Sequence, residues 1–311
     1  MCPYIAYFVL GVLEGDIIKE SIQYYYNMHD INLQKQDYEY HFIYDGYEYF
    51  FSSLVRNENE IYEIEKLISA NDHFDQIVPN INKQLITLIY NRKYLLVKRK
   101  KQTTDIEKSL FNCFFGQKLY SGDIYSINHS NWGFLWSKKV DYIEYQLLHF
   151  DGKYPLLERS THYFIGMAEN AISYLNIATE NSAAQDNELV ISHNRILDES
   201  LDTPQNIIVD YIDRDIAEYL RYLFMTKKYN FDKIYRLLTS LNLSSLHCKR
   251  IYARLFFPTT YFDLFNGIIY LKTDETKVME ILKRVEEYED YINKVYDILF
   301  RIKKIPKITW I

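Results

Sequence analysis

The sequence has no surplus of positive charge: 36 Lys and Arg stand against 42 Asp and Glu, a formal net charge of −6. No global basic field gathers nucleic acid or an anionic membrane surface, so no nucleic-acid partner is expected. Cysteine is scarce too. Cys2, Cys113 and Cys248 lie far apart with no CxxC spacing, which argues against a zinc site and a disulfide framework and for a reducing compartment, the cytoplasm. Long apolar runs are missing: Tyr4–Leu13 is about half of what a bilayer requires, with no Lys or Arg before it and no small-residue cleavage site. It reads as a buried strand, and no membrane span is expected. HExxH, GxSxG, the P-loop and a GxGxxG after a strand are all absent, so no common catalytic motif offers itself.

What is present is apolar and aromatic. With 48% hydrophobic residues in 311, the chain can bury a large core in one big domain or two packed lobes. Tyrosine is the unusual component, 31 residues with runs such as Tyr24-Tyr25-Tyr26. Oxidative cross-linking in an insoluble shell would use them, but an AT-rich genome, whose codons favour Tyr, Ile, Asn and Lys together, accounts for the count more simply.

Residues 1–98 read as a small α+β lobe. Tyr40–Tyr44 and Tyr47–Phe51 flank Asp45-Gly46, the pair that tolerates positive φ at both turn positions, and predict a hairpin. A helix is expected from about Asn57, with Ile61, Ile64, Leu67 and Ile68 on one face, followed by strands over Gln84–Tyr90 and Tyr94–Lys98. Residues 99–311 read as a helical lobe. Apolar positions three and four apart predict helices over Asp105–Phe115, Phe134–Leu148 and His162–Leu175, then a polar loop over Asn176–Asn187. Two short β-like runs follow, Glu188–Ser192 and Asn206–Asp210. A long helix over Asp274–Ile302 carries a heptad stripe that is expected to pack on its own domain, and the tail from Lys303 ends in an apolar pair that docks on this chain or on a partner. Lys98-Arg99-Lys100-Lys101 reads as a solvated edge.

The chemistry, if any, lies in Leu189–Phe224. A strand leads into Ser192-His193-Asn194-Arg195. A loop and a second strand ending at Asp210 follow, and then Asp213-Arg214-Asp215 opens a helix. From the residues alone His193 is expected to hydrogen-bond within its loop, and Asp215 to cap the helix it begins. This order resembles the catalytic half of the aminoglycoside phosphotransferase and choline kinase-like families, in which a His-Gly-Asp loop precedes a strand ending in a metal-binding Asp. Three blocks are similar to the YutH-type spore coat proteins, relatives of the CotS group: Arg159–Leu175, Arg214–Arg221 and Arg250–Asp263.

The resemblance implies a two-lobed α+β, protein kinase-like fold, and it assigns roles to positions. In such a site an Asp accepts or orients the substrate hydroxyl, an Asn and a second Asp hold magnesium, and a Lys on a small-lobe strand steadies the phosphates. Here Arg195 stands at the first position, and a guanidinium stays protonated and cannot act as a base. Ser200 falls where the Asn belongs, Asn206 comes too late, and the Lys strand reads Tyr49-Phe50-Phe51-Ser52. Only Asp210 keeps its place, as a candidate metal ligand. The expectation is a catalytically degenerate, pseudokinase-like protein with no cofactor, with His193, Asn194 and Arg195 forming the degenerate loop and Asp213, Arg214 and Asp215 a structural helix start. The resemblance further implies a structural or scaffolding role in the bacterial spore coat, manufacture in the mother-cell cytoplasm, and coat or assembly proteins as partners. An active small-molecule phosphotransferase using ATP and Mg, or a nucleotide-binding regulator without turnover, stand as alternatives.

Overall fold

The computed structural model describes residues 3–36, 39–71, 73–99, 118–119, 126–179, 188–196, 201–271 and 273–309. They fall into two compact units: Met1–Gln117 with Gly122–Asn128 and His193–Val209, and Lys118–Ser121 with His129–Ser192 and Asp210–Ile311. His193–Val209 belongs to the first unit, far along the sequence from the stretch 1–98 that was expected to form the small lobe.

The first unit opens with α1 (Pro3–Tyr26), where a strand was expected over Tyr4–Leu13. An apolar run without clear periodicity fits a strand and a buried helix equally well, and only its continuation separates the two. That continuation is helical: Ile18, Ile22 and Tyr26 recur every fourth residue and are all buried. They pack in one core with Tyr40, Phe42, Tyr49, Phe51, Tyr94 and Leu96 of the sheet. The sheet comprises β1 (Gln34–Gln36), β2 (Glu39–Tyr44), β3 (Tyr47–Ser53), β4 (Gln76–Ile77), β5 (Ile86–Ile89) and β6 (Arg92–Lys98), in the antiparallel order β1-β2-β3-β6-β4 with β5 also on β6.

The predicted hairpin is β2–β3. Tyr44 pairs with Tyr47 across Asp45 (φ 49°) and Gly46 (φ 76°), and that register puts Tyr40 opposite Phe51 and Phe42 opposite Tyr49 on the core face. Between β3 and β4 runs α2 (Glu58–Ile68), capped by the Asn57 side chain accepting from Asn59 N–H, with Ile61, Ile64 and Ile68 buried. Lys98 and Arg99 are not simply solvated. Lys98 Nζ lies 3.3 Å from the Tyr47 ring centroid, and Arg99 stacks 3.8 Å over Phe50 while pairing with Glu48 at 3.4 Å. Lys100, Lys101 and the helix expected over Asp105–Phe115 lie outside the described residues.

The second unit is helical. It contains α3 (Trp132–Leu147), α4 (Pro155–Thr179), α5 (Asp213–Met225), α6 (Phe231–Ser240), α7 (Ser245–Phe256), α8 (Thr259–Leu271), α9 (Val278–Leu282) and α10 (Val285–Lys303). The short strand β7 (Lys118–Leu119) pairs with β8 (Leu189–His193), and β9 (Ile207–Tyr211) leads to α5. The polar stretch after Leu175 stays helical to Thr179; residues 180–187 lie outside the described residues. Helix α7 packs against α4, α5 and α10 and is buried on nearly every side.

The single helix expected over Asp274–Ile302 is broken. After a 3-10 turn at Glu275–Lys277, α9 ends at Leu282 and α10 begins at Val285, with Arg284 at φ −113° and ψ 6° between them. Arg284 Nη2 donates to the Phe224 carbonyl at 3.0 Å, and the guanidinium lies 4.3 Å over the Phe224 ring. This long-range anchor competes with helix continuation, and local periodicity does not report it. The stripe does pack on its own unit: Val278, Ile292, Val295 and Leu299 are buried, as are Ile305 and Ile308 of the tail. Trp310 and Ile311 lie outside the described residues.

Candidate functional site

In the first unit, the loop after β8 is closed by Asn206. Its backbone carbonyl accepts from Asn194 N–H at 2.7 Å, its side-chain oxygen accepts from Arg195 N–H at 3.0 Å, and its amide donates to the carbonyls of Arg195 and Leu201 at 2.8 and 2.9 Å. The loop thereby finds partners for backbone groups that would otherwise be buried unpaired. Arg195 folds back on its neighbour, Nη1 donating to the Asn194 carbonyl at 2.7 Å. His193 is fully buried, its ring 6.4 Å from that of Phe74 and its Nε2 3.7 Å from an Asp202 carboxylate oxygen.

The residue before Asn206 ties the loop to the β3–α2 junction. Gln205 donates from Nε2 to Ser52 Oγ at 2.8 Å and accepts at Oε1 from Val55 N–H at 3.1 Å, and its carbonyl accepts from Arg56 Nε at 2.9 Å. Asp75 N–H donates to the Asp202 carbonyl at 3.1 Å. These bonds account for the grouping of His193–Val209 with the N-terminal sheet. Ser52, on the strand expected to carry a phosphate-steadying lysine, meets the neutral Gln205 amide.

In the second unit, Asp210 at the end of β9 is completely buried, and both of its oxygens are taken. Trp132 Nε1–H donates to them at 2.8 and 3.0 Å, Tyr211 N–H at 2.7 Å and Arg214 Nη1 at 2.8 Å. A magnesium ion needs carboxylate lone pairs in near-octahedral array with room for water or phosphate oxygens. Asp210 as arranged offers no such position, and among the described residues no group of three or more His, Cys, Asp or Glu is gathered to hold a metal. The residues present do not fit the ion.

Asp210 is one end of a buried ionic network. Four guanidinium groups, Arg214, Arg221, Arg250 and Arg254, pair with three carboxylates, Asp210, Asp213 and Glu218, and all seven are buried, as is Asp215 beside them in sequence. Asp213 pairs with Arg250 at 3.6 Å, and one oxygen of Glu218 accepts from Arg221 at 2.7 Å and from Arg254 at 2.9 and 3.1 Å. Arg221 also donates to the carbonyls of Arg254 and Phe257. Burial, with the neighbouring Arg214 charge, pulls Arg254 down to about 9, so it remains charged at neutral pH opposite Glu218. Asp215 does not cap α5, because Ile212 occupies the N-cap position; Asp213 and Asp215 both sit in the first turn, where the helix dipole favours negative charge. Cys248, beside the network on α7, is buried, and burial together with Asp213 pushes its thiol up to about 12.

A sequence profile described as "Spore coat putative kinase YutH" matches residues 19–299. The chain belongs to the YutH spore coat family. The endospore coat-associated protein YutH of Bacillus subtilis (strain 168) is 27% identical over 211 residues, 58% of this chain and 61% of the relative, so the match spans less than two thirds of that protein. Among solved structures, an aminoglycoside phosphotransferase from Alicyclobacillus acidocaldarius is similar in fold at TM-score 0.53 and 11% identity, over 90% of this chain and 94% of the other. A choline/ethanolamine kinase family protein from Mesorhizobium loti aligns at TM-score 0.46 and 11% identity, over 86% and 92%. The first of these two likenesses gives the fold as aminoglycoside phosphotransferase-like: α+β, with a small antiparallel sheet region and a larger helical one. Among the described residues, no helix is long and apolar enough to cross a membrane.

The three YutH-like sequence blocks meet in this second unit. Arg214–Arg221 and Arg250–Asp263 are joined by the ion pairs of α5 and α7. Arg159–Leu175 joins them through Ser160 and Thr161, whose hydroxyls lie 2.6 and 2.7 Å from Tyr261 Oη. Their shared feature is buried polar packing. Trp132 and Gln205 were not anticipated as site residues. The Pro204-Gln205-Asn206 turn signal before β9 hints at the loop closure, but nothing local points from Trp132 to a carboxylate 78 positions away.

Proposed function

We propose that this chain is a non-catalytic, kinase-like scaffolding protein of the spore coat. It is made in the mother-cell cytoplasm and engages other coat or assembly proteins rather than a phosphate acceptor. The observation that carries the reading is the fate of two acidic positions. At the first stands Arg195, a permanent cation unable to accept a proton from a hydroxyl. At the second, Asp210 is spent on Trp132, Tyr211 N–H and Arg214. The strand before α2, Tyr47–Ser53, contains neither Lys nor Arg, which supports the same reading. The coat role rests on family membership and on the coat association of the Bacillus subtilis relative.

Isothermal calorimetry with ATP and Mg²⁺ tests the loss of chemistry: no heat beyond dilution is expected. Micromolar nucleotide affinity that disappears in Asp210→Ala would overturn the proposal. Fractionation of spores carrying an epitope-tagged copy tests the coat half, and the tag is expected in the coat extract rather than in the core lysate.

A further inference from the structure

Two stacked tyrosine pairs of the helical unit have hydroxyls engaged elsewhere. Tyr288 and Tyr291 stack at 6.4 Å, but their hydroxyls donate in different directions, to the carbonyls of Leu255 and Leu220. Tyr219 and Tyr222 stack at the same separation, and there the Tyr222 hydroxyl accepts from Lys228 Nζ at 3.1 Å. Tyr142 on α3 and Tyr270 on α8 are different. Their hydroxyl oxygens lie 2.5 Å apart, their rings are within 19° of parallel with centroids 6.5 Å apart, and Tyr270 is 62% exposed.

With each hydroxyl about 2.8 Å from its ring centre by standard bond lengths, a straight tip-to-tip arrangement would hold the centroids about 8 Å apart. The observed 6.5 Å is shorter, so the two rings are not set tip to tip but inclined or offset so that they overlap in part beside the touching oxygens. In an ortho–ortho biphenol the two hydroxyls are likewise neighbours, as they are here. Well-oriented reacting groups held about 3 to 3.5 Å apart gain on the order of 10⁵-fold or more in effective concentration over freely diffusing partners.

We infer that Tyr142 and Tyr270 form a site for oxidative cross-linking, a dityrosine staple between α3 and α8 made by a haem peroxidase with hydrogen peroxide. Each phenol gives up one electron and its hydroxyl proton. The two phenoxyl radicals join through one ortho carbon of each ring, and the ring hydrogens at those carbons move to the oxygens as aromaticity is restored. Two electrons and two protons leave in all, and they reduce one peroxide to two waters. The staple joins two helices of the helical unit across 128 positions of sequence. Nothing in it depends on whether the chain handles nucleotides.

The experiment oxidises the dilute, purified full-length chain with a haem peroxidase and hydrogen peroxide. Monomer is then isolated and its cross-linked peptides mapped by mass spectrometry, with dityrosine fluorescence as the second readout. The expected result is one dominant intramolecular link, Tyr142 to Tyr270, lost in both Tyr142→Phe and Tyr270→Phe and retained in Tyr235→Phe, which removes another exposed tyrosine. The linked monomer is expected to melt roughly 5 °C or more above the unlinked one. Links distributed over other tyrosines, equal fluorescence from wild type and the two phenylalanine variants, or a linked monomer with an unchanged melting temperature would overturn the inference.

Discussion

If Asp210 is a structural counter-ion, neutralising it should unfold the protein sooner even when no metal is present. The side chains of Asp210 and Arg214 are 0% and 6% exposed and their charged atoms are 2.8 Å apart. Asp210→Asn keeps the shape and one acceptor oxygen, so bonds from Trp132 and Tyr211 N–H survive in part. What disappears is the charge opposite a buried guanidinium, and stranding one member of such a pair costs about 3 to 5 kcal/mol. At roughly 2 °C or more of melting temperature per kcal/mol in a chain of this size, the expected fall is about 6 to 10 °C. The assay is thermal unfolding followed by circular dichroism in buffer containing a chelator. A metal ligand would respond in the opposite sense, because an unoccupied acidic site is relieved by losing a charge. A melting temperature within about 2 °C of wild type, or above it, would refute the reasoning. Pairing the substitution with Arg214→Gln should recover part of the loss, since the double variant leaves no uncompensated charge.

Three other outcomes follow from the same geometry. Glu218→Gln leaves Arg221 and Arg254 sharing a neutral oxygen, and should cost about 3 to 5 kcal/mol in urea unfolding. Gln205→Ala removes the side-chain bonds to Ser52 and Val55, and amide hydrogen exchange should rise within 201–206 while global stability falls by about 1 to 3 kcal/mol. Cys248, buried with its thiol held near 12, should resist alkylation at pH 8 in the native protein and react fully in denaturant, whereas native labelling would contradict its placement.

What the sequence made legible was whatever local chemistry decides. Asp45-Gly46 set the β2–β3 hairpin, and the helix expected from about Asn57 is α2, with Asn57 as its cap. Its failures came where a distant partner decides. Tyr4–Leu13 is apolar without periodicity, so its helical state depends on the sheet that the following turns of α1 cover. The break at Arg284 depends on Phe224, sixty positions earlier. The candidate site shows the same division. That Arg195 is no base follows from the residue type alone, whereas the engagement of Asp210 follows from Trp132, a contact across 78 positions. The charged residues of the family blocks look catalytic in sequence because buried ionic networks and active sites draw on the same residue types.

The central claim concerns turnover, and it is tested by incubating the purified chain with γ-labelled ATP, Mg²⁺ and a panel of hydroxylated and aminated acceptors. The account predicts label transfer and ATP hydrolysis no faster than in buffer, for wild type and Asp210→Ala alike. Transfer to any acceptor at a rate abolished by Asp210→Ala would contradict it.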